Sequence, residues 1–249
     1  MARQHLFILT GASRGMGAAI AGQLVATPDH RVLCLSRQRN AALDDAPGCE
    51  QWAIDLAQPI EAAARVQAWL AALDGNVFAS ATLINNAAAL TRIGSVADCS
   101  DDELSSALRV GIEAPLLLTA AFLRATREWA ASKRVLNISS GLGRRAMAGQ
   151  ATYCAVKAGL DHFTRSLALD EAQRPNGAKV VALAPGVIDT DMQVQLRAGD
   201  PAAFPDRANF VALKEKGQLT SPQDAAARIL AYLDRADFGT NPVADVRDA

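Results

Sequence analysis

Six short, continuously apolar runs recur along this chain, and longer stretches with helical spacing separate them. The runs are HLFILT (5–10), RVLCLS (31–36), QWAID (51–55), ATLINN (81–86), RVLNIS (134–139) and KVVALA (179–184). A strand covered on both faces has such a run, whereas a half-exposed strand alternates apolar and polar residues. Between the runs, residues such as Val156, Leu160, Phe163 and Leu167 form one helical stripe. The pattern predicts an α/β fold, a doubly wound parallel sheet of about seven strands.

The chain shows no internal repeat and no linker that divides it, so we expect a single domain over residues 1–249. One irregular stretch, about 191–222, contains Gly199, Pro201 and Pro205 and is long for a connection. Segments of this kind are often lids, and we predict a substrate lid here. A surface excursion without function is the alternative.

Composition argues against several classes of partner. The formal net charge is -1 and the basic residues are spread along the chain, which does not favour a nucleic-acid partner. The four cysteines form no Cys-x-x-Cys pair and the three histidines lack ligand spacing, so no metal is implied. HLFIL is too short for a signal peptide, and APLLLTAAFL (114–123) is shorter than the roughly 20 residues of a spanning helix. We therefore expect a cytoplasmic protein with no membrane partner.

A glycine motif, TGASRGMG (10–17), follows the first run and opens a helical stretch. Gly11 permits a tight turn, while Gly15 and Gly17 let a pyrophosphate and the neighbouring strand approach the backbone at the positive end of the helix. In this position the motif predicts a Rossmann-type dinucleotide site.

The end of the second run indicates which dinucleotide binds. An Asp or Glu about 20 residues after the glycines usually reads the ribose 2′-hydroxyl, but Ser36 and Arg37 stand here. Arg37 can bond a 2′-phosphate, and Arg14 could add a second positive charge. The sequence therefore favours NADP(H) over NAD(H).

Polar residues also end the third and fourth runs. Asp55 could accept a bond from the adenine amino group, or it could cap the following helix. Asn85 and Asn86 are expected at the carboxyl edge of the sheet, where ligands of parallel sheets bind.

In order along the chain, TGASRGMG, INNAA, NISS, YCAVK and APGVIDT resemble the short-chain dehydrogenase/reductase family over nearly its whole length. The resemblance implies that Ser140, Tyr153 and Lys157 are catalytic and that Thr190 contacts the nicotinamide. With the motifs above, the predicted cofactor site consists of Gly11, Ser13, Arg14, Gly15, Met16, Gly17, Ser36, Arg37, Asp55, Leu56, Asn86, Ala87, Tyr153, Lys157, Pro185, Gly186, Val187 and Thr190.

Three further segments, YCAVKAGLD, PGVIDTDMQ and LKEKGQLTSP, look like the sepiapterin reductase and benzil reductase branch of that family. The resemblance implies NADPH-dependent reduction of ketones, often adjacent dicarbonyls. Leu142 and Met192 are the candidate substrate contacts. Asp245 matches by position a carboxylate that grips the pterin in sepiapterin reductases, and a solvated acidic tail is the alternative.

The spacing of Tyr153 and Lys157 suits proton transfer, because residues four apart are neighbours on a helix surface. A nearby ammonium favours the phenolate, so we expect Lys157 to lower the pKa of Tyr153. For ketone reduction, the nicotinamide would deliver hydride while Tyr153 donates a proton and Ser140 hydrogen-bonds the same oxygen.

Two positions depart from the family pattern. Ala88 replaces a common Gly in INNAA, and Gly111 in LRVGIEAP replaces the fourth catalytic residue, an Asn. In the family that Asn lies near a water linking the Lys to solvent, and our hypothesis is that a backbone carbonyl near Gly111 holds this water. A non-catalytic NADP-binding sensor and an NADP-dependent alcohol dehydrogenase remain the alternative functions.

A pair of arginines and two apolar helical stretches bear on substrate charge and quaternary structure. Arg144 and Arg145 could attract an anionic substrate, or form a solvated turn or a subunit contact. The helical stretches 113–131 and 151–173 are apolar on more than one face, which indicates a homodimer or homotetramer.

Overall fold

Strand β1 (Gln4–Thr10) lies at the centre of the sheet in this computed structural model, which describes residues 3–248. Its side chains alternate between two cores. Leu6 and Ile8 belong to one core, and Phe7 and Leu9 belong to the other. Burial on both faces explains why the run is apolar throughout instead of alternating.

Seven parallel strands form one sheet in the order β3-β2-β1-β4-β5-β6-β7. The remaining strands are β2 (His30–Ser36), β3 (Cys49–Ala53), β4 (Phe78–Asn85), β5 (Ser132–Ile138), β6 (Lys179–Ala184) and β7 (Val243–Asp245). The chain moves outward from β1 to β3 and then returns to place β4 on the other side of β1. This reversal creates the crevice at which doubly wound sheets bind ligands.

Helices cover both faces of the sheet. They are α1 (Gly15–Val25), α2 (Pro59–Ala71), α3 (Asp101–Leu108), α4 (Ala114–Ala125), α5 (Ala151–Ala172), α6 (Asp191–Ala198), α7 (Arg207–Glu215) and α8 (Pro222–Leu233). On one face α1 packs with α8, and on the other α2 packs with α4. The predicted single-domain, doubly wound fold is confirmed; of the predicted domain, Met1, Ala2 and Ala249 lie outside the described residues.

The six predicted strands are present, and their observed ends differ from the predicted ends by up to three residues. The seventh strand, β7, contains three residues and had no recognisable run. Within 191–222, the prediction of an irregular stretch is wrong in part, because α6 and α7 occupy most of it. Only the short connection between these helices holds Gly199, Pro201 and Pro205, and each helix is too short to show a strong apolar period.

Helices α3 and α4 form one nearly continuous rod, joined by a π-helical turn at Arg109–Glu113. Within residues 3–248, the rod Asp101–Ala125 is the one helical run long and apolar enough, by length and composition, to cross a membrane. That is weak evidence, because core helices pass the same test, and Leu118 and Phe122 are buried in this one.

Candidate active site

A cavity of about 1280 Å³ opens at the carboxyl ends of the strands. The predicted site residues all line it: Gly11, Ser13, Arg14, Gly15, Met16, Gly17, Ser36, Arg37, Asp55, Leu56, Asn86, Ala87, Ser140, Leu142, Tyr153, Lys157, Pro185, Gly186, Val187, Thr190, Met192 and Asp245. These residues come from the carboxyl ends of six strands, β1 to β6, and the loops after them, and from α1, α5, α6 and β7. The fold thus gathers positions that are far apart in sequence.

The glycine motif forms a tight cradle between β1 and α1. Gly11 and Gly15 have φ values of +71° and +54°, in the region that favours glycine. A Cβ on Gly17 would lie 2.0 Å from the Gly11 carbonyl oxygen, so only glycine fits there. No side chain among the described residues caps the start of α1. Its first backbone N–H groups are therefore available to an anion, and the cradle fits a pyrophosphate.

Two neighbouring amides have different roles. Asn86 lines the cavity, and its Nδ2 donates to the Thr10 carbonyl oxygen (2.9 Å), which ties β4 to the glycine turn. Asn85 instead is buried, and its Nδ2 donates to Asn137 Oδ1 (2.9 Å) and to Thr119 Oγ1 (3.3 Å). Asn85 lies at the carboxyl end of β4, as expected, but the strand's alternation turns its side chain toward the core instead of the cavity.

At the end of β2, Ser36 Oγ donates to the Gln38 carbonyl oxygen (2.7 Å), whereas Arg37 is exposed. Within residues 3–248, Arg37 forms no ion pair. Arg14 Nη1 lies 3.1 Å from Asp191 Oδ2, and both side chains are about two-thirds exposed. Arg37 is therefore the cation at this end that has no carboxylate partner in the described chain.

Of the two alternatives for Asp55, the helix cap is wrong. Its Oδ1 accepts a bond from the Ala57 backbone N–H (3.0 Å), which closes a local turn. The residue preceding α2 is Gln58, so Asp55 is not the helix cap. It also lines the cavity, and a contact with adenine stays a prediction.

Helix α5 carries Tyr153 and Lys157 into the cavity. Lys157 is buried, and its Nζ donates to the Ile138 carbonyl oxygen at the end of β5 (2.6 Å). The same Nζ lies 5.5 Å from the centroid of the Tyr153 ring. Ser140 lies in the loop after β5, where its Oγ accepts a bond from the Leu142 backbone N–H (3.2 Å). The three side chains face one part of the cavity.

Burial shifts the pKa values of Tyr153 and Lys157 in opposite directions. It raises the pKa of Tyr153 to about 12, and a hydrogen bond with Ser140 partly opposes the rise. It lowers the pKa of Lys157 to about 8, against the influence of the Asp161 carboxylate. The expectation of a lowered Tyr153 pKa is wrong for the protein alone, because loss of solvent outweighs the hydrogen bond with Ser140.

A buried acid lies one turn beyond Lys157. Asp161 is 1% exposed, and its Oδ1 accepts a bond from Ser139, the neighbour of Ser140. Arg144 Nε lies 3.5 Å from Asp161 Oδ2, and Arg144 Nη2 donates to the Ala244 carbonyl oxygen (2.7 Å). Arg144 therefore joins α5 to β7 within the chain, an option that was not among those predicted for it.

Comparison with known proteins assigns this chain to a family. A model described as short chain dehydrogenase matches residues 5–201. The chain belongs to the short-chain dehydrogenase family. It is therefore an oxidoreductase that acts on carbonyl or hydroxyl groups with a nicotinamide cofactor.

Similar members of this family include two benzil reductases described as (S)-benzoin forming. The protein from Bacillus cereus is 34% identical over 236 residues, which cover 93% of this chain and 94% of the relative. That from Bacillus subtilis (strain 168) is 34% identical over 231 residues and covers the same shares. The crystal structure of a putative 2-deoxy-d-gluconate 3-dehydrogenase from Agrobacterium tumefaciens with bound NADP has a TM-score of 0.77 at 25% identity, over 98% of this chain and 95% of that one.

Gly111, the departure from the short-chain dehydrogenase pattern, lies in the π-helical turn and is buried. A Cβ there would lie 2.5 Å from Val156 Cγ1 on α5. Val156 thus fills the volume into which a side chain at position 111 would project. Position 111 therefore has little room for a side chain beside Val156.

Asp245 lies in β7 and is buried, so the alternative of a solvated tail is wrong. Its carboxylate accepts bonds from Arg247 Nε (2.8 Å) and Nη2 (2.6 Å). These bonds lower the pKa of Asp245, so it is ionised at neutral pH. Asp245 lines the cavity of this short-chain dehydrogenase with Arg247 already bound to it.

An apolar wall encloses the cavity beside Tyr153. Leu142, Met192 and Phe210 pack against a buried cluster of Met147, Leu196 and Phe204. Sequence reasoning missed several residues that line the cavity: Met147, Gln150, Gln193, Leu196, Phe210 and Arg247. Of these residues, only Gln193 lies in the PGVIDTDMQ segment. The others carried no sequence signal, since the inward face of a short helix is set by what it packs against.

Proposed function

We propose that this enzyme is an NADPH-dependent carbonyl reductase that reduces a 1,2-diketone or a similar small carbonyl compound. The supporting observation is that Ser140, Tyr153 and Lys157 line one cavity with the glycine cradle. A hydrogen-bond donor, an acid and a cation are thus brought to one site, beside a cradle that fits a pyrophosphate. The benzil reductases that resemble the chain act on a 1,2-diketone.

Arg37 and the cradle would hold the cofactor. Gly11, Gly15 and Gly17 would accommodate the pyrophosphate, and Thr190 the nicotinamide end. Arg37 is exposed at the end of β2 without an ion pair in the described chain, which supports binding of a 2′-phosphate. When bound, NADPH supplies the hydride.

Tyr153 would be the proton donor. Its pKa of about 12 means that the phenol keeps its proton at neutral pH and has one to give. Ser140 would bond the same carbonyl oxygen and stabilise the charge that develops on it. Lys157, held by the Ile138 carbonyl, would stabilise the phenolate that remains. A water held by a backbone carbonyl near Gly111 would return the proton from solvent.

The segment 191–222 would close over the substrate. Its ends are clamped together, because Asp189 N donates to the Thr220 carbonyl oxygen (2.9 Å) and Thr220 N donates to that of Val187 (2.9 Å). Between the clamped ends, α6 and α7 contribute Met192 and Phe210 to the apolar wall. This geometry supports a lid that moves as a unit around a fixed base. Asp245, with Arg247, would border the far side of the substrate.

We further propose that the enzyme is a cytoplasmic homodimer or homotetramer. Helix α5 carries apolar residues on more than one face, and Leu169 on it is 71% exposed; this pattern supports a subunit contact there.

NADPH and NADH consumption with benzil, sepiapterin and simple ketones tests the function. We expect consumption of NADPH with a diketone. Arg37→Ala should raise KM for NADPH about 10- to 100-fold and leave NADH unaffected, because a charge-assisted bond to the 2′-phosphate is lost. Arg39→Ala is the matched control, since Arg39 is also exposed but pairs with Asp44 (2.7 Å). Absence of turnover in protein that binds NADPH would overturn the proposal.

A further inference from the structure

A single buried carboxylate contacts both ends of the short segment that carries Ser140. Asp161 on α5 is 1% exposed, and its Oδ1 accepts a bond from the hydroxyl of Ser139, the residue before Ser140. Its Oδ2 lies 3.5 Å from Nε of Arg144, four residues after Ser140. The segment 139–144 is therefore held on both sides of Ser140 by one group on the neighbouring helix.

Arg144 is fixed on its other side by strand β7. Its Nη2 donates to the Ala244 carbonyl oxygen (2.7 Å), and its Nη1 lies 3.9 Å from Asp245 Oδ2. The planar guanidinium thus connects two buried carboxylates, one on α5 and one on β7. Leu142 and Arg145 line the cavity, whereas Arg144 does not. The contacts of Arg144 are therefore with the protein and not with a substrate.

Between the two held ends, the chain forms a tight turn that places the Ser140 hydroxyl. Gly143 N donates to the Ser140 carbonyl oxygen (2.9 Å), and a Cβ on Gly143 would lie 2.8 Å from Asp161 Oδ2. The turn thus packs directly on the buried carboxylate. Ser140 Oγ accepts a bond from the Leu142 N–H in the same turn, which leaves its O–H to donate. A displacement of Arg144 would move this turn and Ser140 with it.

We propose that Arg144 is a positioning residue that holds the Ser140 hydroxyl toward the carbonyl oxygen being reduced. This rests on the proposed function, in which Ser140 bonds that oxygen. The neighbouring Ser139 cannot take that role, because its hydroxyl donates to Asp161 and the residue is 2% exposed. With both ends of the segment held, the Ser140 hydroxyl is oriented before the substrate arrives, which is what a preorganised site requires.

A double-variant cycle with Ser140 tests this role. Arg144→Met keeps an unbranched side chain and removes the guanidinium, and kcat for a diketone should fall about 10- to 100-fold because the hydroxyl is misplaced. Ser140→Ala should lower kcat about 100- to 1000-fold. In the Ser140→Ala background, Arg144→Met should lower kcat by less than about 3-fold, because the group on which Arg144 acts is gone.

Two measurements separate positioning from folding. The Kd of Arg144→Met for NADPH, followed by fluorescence, should equal that of the wild type, since Arg144 does not line the cavity. Arg144→Lys should lose only about 3- to 10-fold in kcat, because an ammonium can meet Asp161 but not the Ala244 carbonyl at the same time. If the Met variant does not fold, the Lys variant takes its place in the cycle, and its loss should vanish in the same way.

Arg174→Met is the matched control. Arg174 Nε also pairs with a buried carboxylate of α5, Glu171 Oε1 (3.1 Å), and neither residue lines the cavity. Loss of this pair leaves a buried carboxylate without its cation, so Tm should fall as it does for Arg144→Met. The kcat of Arg174→Met should equal that of the wild type.

Other outcomes would overturn the proposal in distinguishable ways. An unchanged kcat for Arg144→Met, or an equal loss in Arg174→Met, would show that Arg144 has no particular effect on the reaction. The same loss with and without Ser140 would show that Arg144 acts through another group. In these cases the reductase activity of the wild type still stands. Full turnover by Ser140→Ala would remove Ser140 from the mechanism and this inference with it, and no turnover by the wild type would end the proposed function itself.

Discussion

Tyr153 and Lys157 are both driven by burial toward their uncharged forms. The pKa of Tyr153 rises to about 12 and that of Lys157 falls to about 8. An unfolded Lys holds its proton up to a pKa of about 10.4. Between about pH 8 and that value, the unfolded chain binds the extra proton, so the contribution of Lys157 to stability rises with pH. The ammonium is retained at neutral pH at a cost to the fold.

Replacing Tyr153 by Phe tests the proton donor alone. The ring remains, so packing and cofactor affinity should be kept, while kcat should fall about 100- to 10,000-fold because general acid catalysis is lost. Steady-state kinetics with a diketone and a fluorescence titration with NADPH measure the two properties. A variant that keeps most of its turnover would remove Tyr153 from the mechanism.

Asp161→Asn should shift the alkaline limb of the pH profile of kcat/KM for reduction to lower pH. Lys157 faces Tyr153 and Asp161 on its own helix and the Ile138 carbonyl from β5, and Arg144 reaches it through Asp161. Asp161 is the group that raises the pKa of Lys157. Without it, the fall of kcat/KM at alkaline pH should begin at a lower pH, because the ammonium is lost earlier.

Asp170→Asn is the control for that profile, since Asp170 is exposed on the same helix. Its profile should match the wild type. A profile for Asp161→Asn with the same alkaline limb, in folded protein, would show that Asp161 does not act through Lys157.

At the scale of elements, the π-helical turn between α3 and α4 packs against α5 through the contact of Gly111 with Val156. Gly111→Ala should lower the free energy of unfolding by about 1 to 3 kcal/mol, because its Cβ would lie 2.5 Å from Val156 Cγ1. Val156→Ala should relieve the clash, and the double variant should be more stable than the sum of the single changes predicts, by about 1 to 2 kcal/mol. Urea denaturation measures all three.

Gly22→Ala provides the control, because a Cβ on this α1 glycine meets nothing within 4 Å. It should raise the free energy of unfolding by up to about 1 kcal/mol. Additive effects of Gly111→Ala and Val156→Ala would contradict the packing account. The same clash means that Gly111→Asn alone reports on folding and not on the proton path.

The predictable elements are those whose burial shows in the pattern of adjacent residues. Strand β1 is covered on both faces, and its apolar run shows this directly. The glycine cradle was predictable because Gly11 and Gly15 adopt positive φ and Gly17 packs on the Gly11 carbonyl oxygen, all within one short motif. Strand β7 was not located, since three residues carry no period. Arg144 was uncertain for a related reason: its partner carbonyl, on Ala244, lies 100 residues away.

At the scale of the whole molecule, we expect α5 to mediate self-association. Leu169→Glu should reduce the oligomer to monomers, because a charge placed in a subunit contact is desolvated without a partner. Ile60→Glu is the matched control on α2, at 72% exposure against 71% for Leu169. Light scattering after size-exclusion chromatography measures both masses. An unchanged mass for Leu169→Glu would place the subunit contact elsewhere.

The contact between Gly111 and Val156 also constrains how this sequence can evolve. While Val156 keeps its volume, a side chain at position 111 costs stability, so one order of the two changes is favoured. A smaller residue at 156 comes first and makes Asn accessible at 111 without that cost. Relatives that keep the Asn should therefore carry Gly, Ala or Ser at the position of Val156, and an alignment that pairs Asn with a bulky residue there would contradict this order.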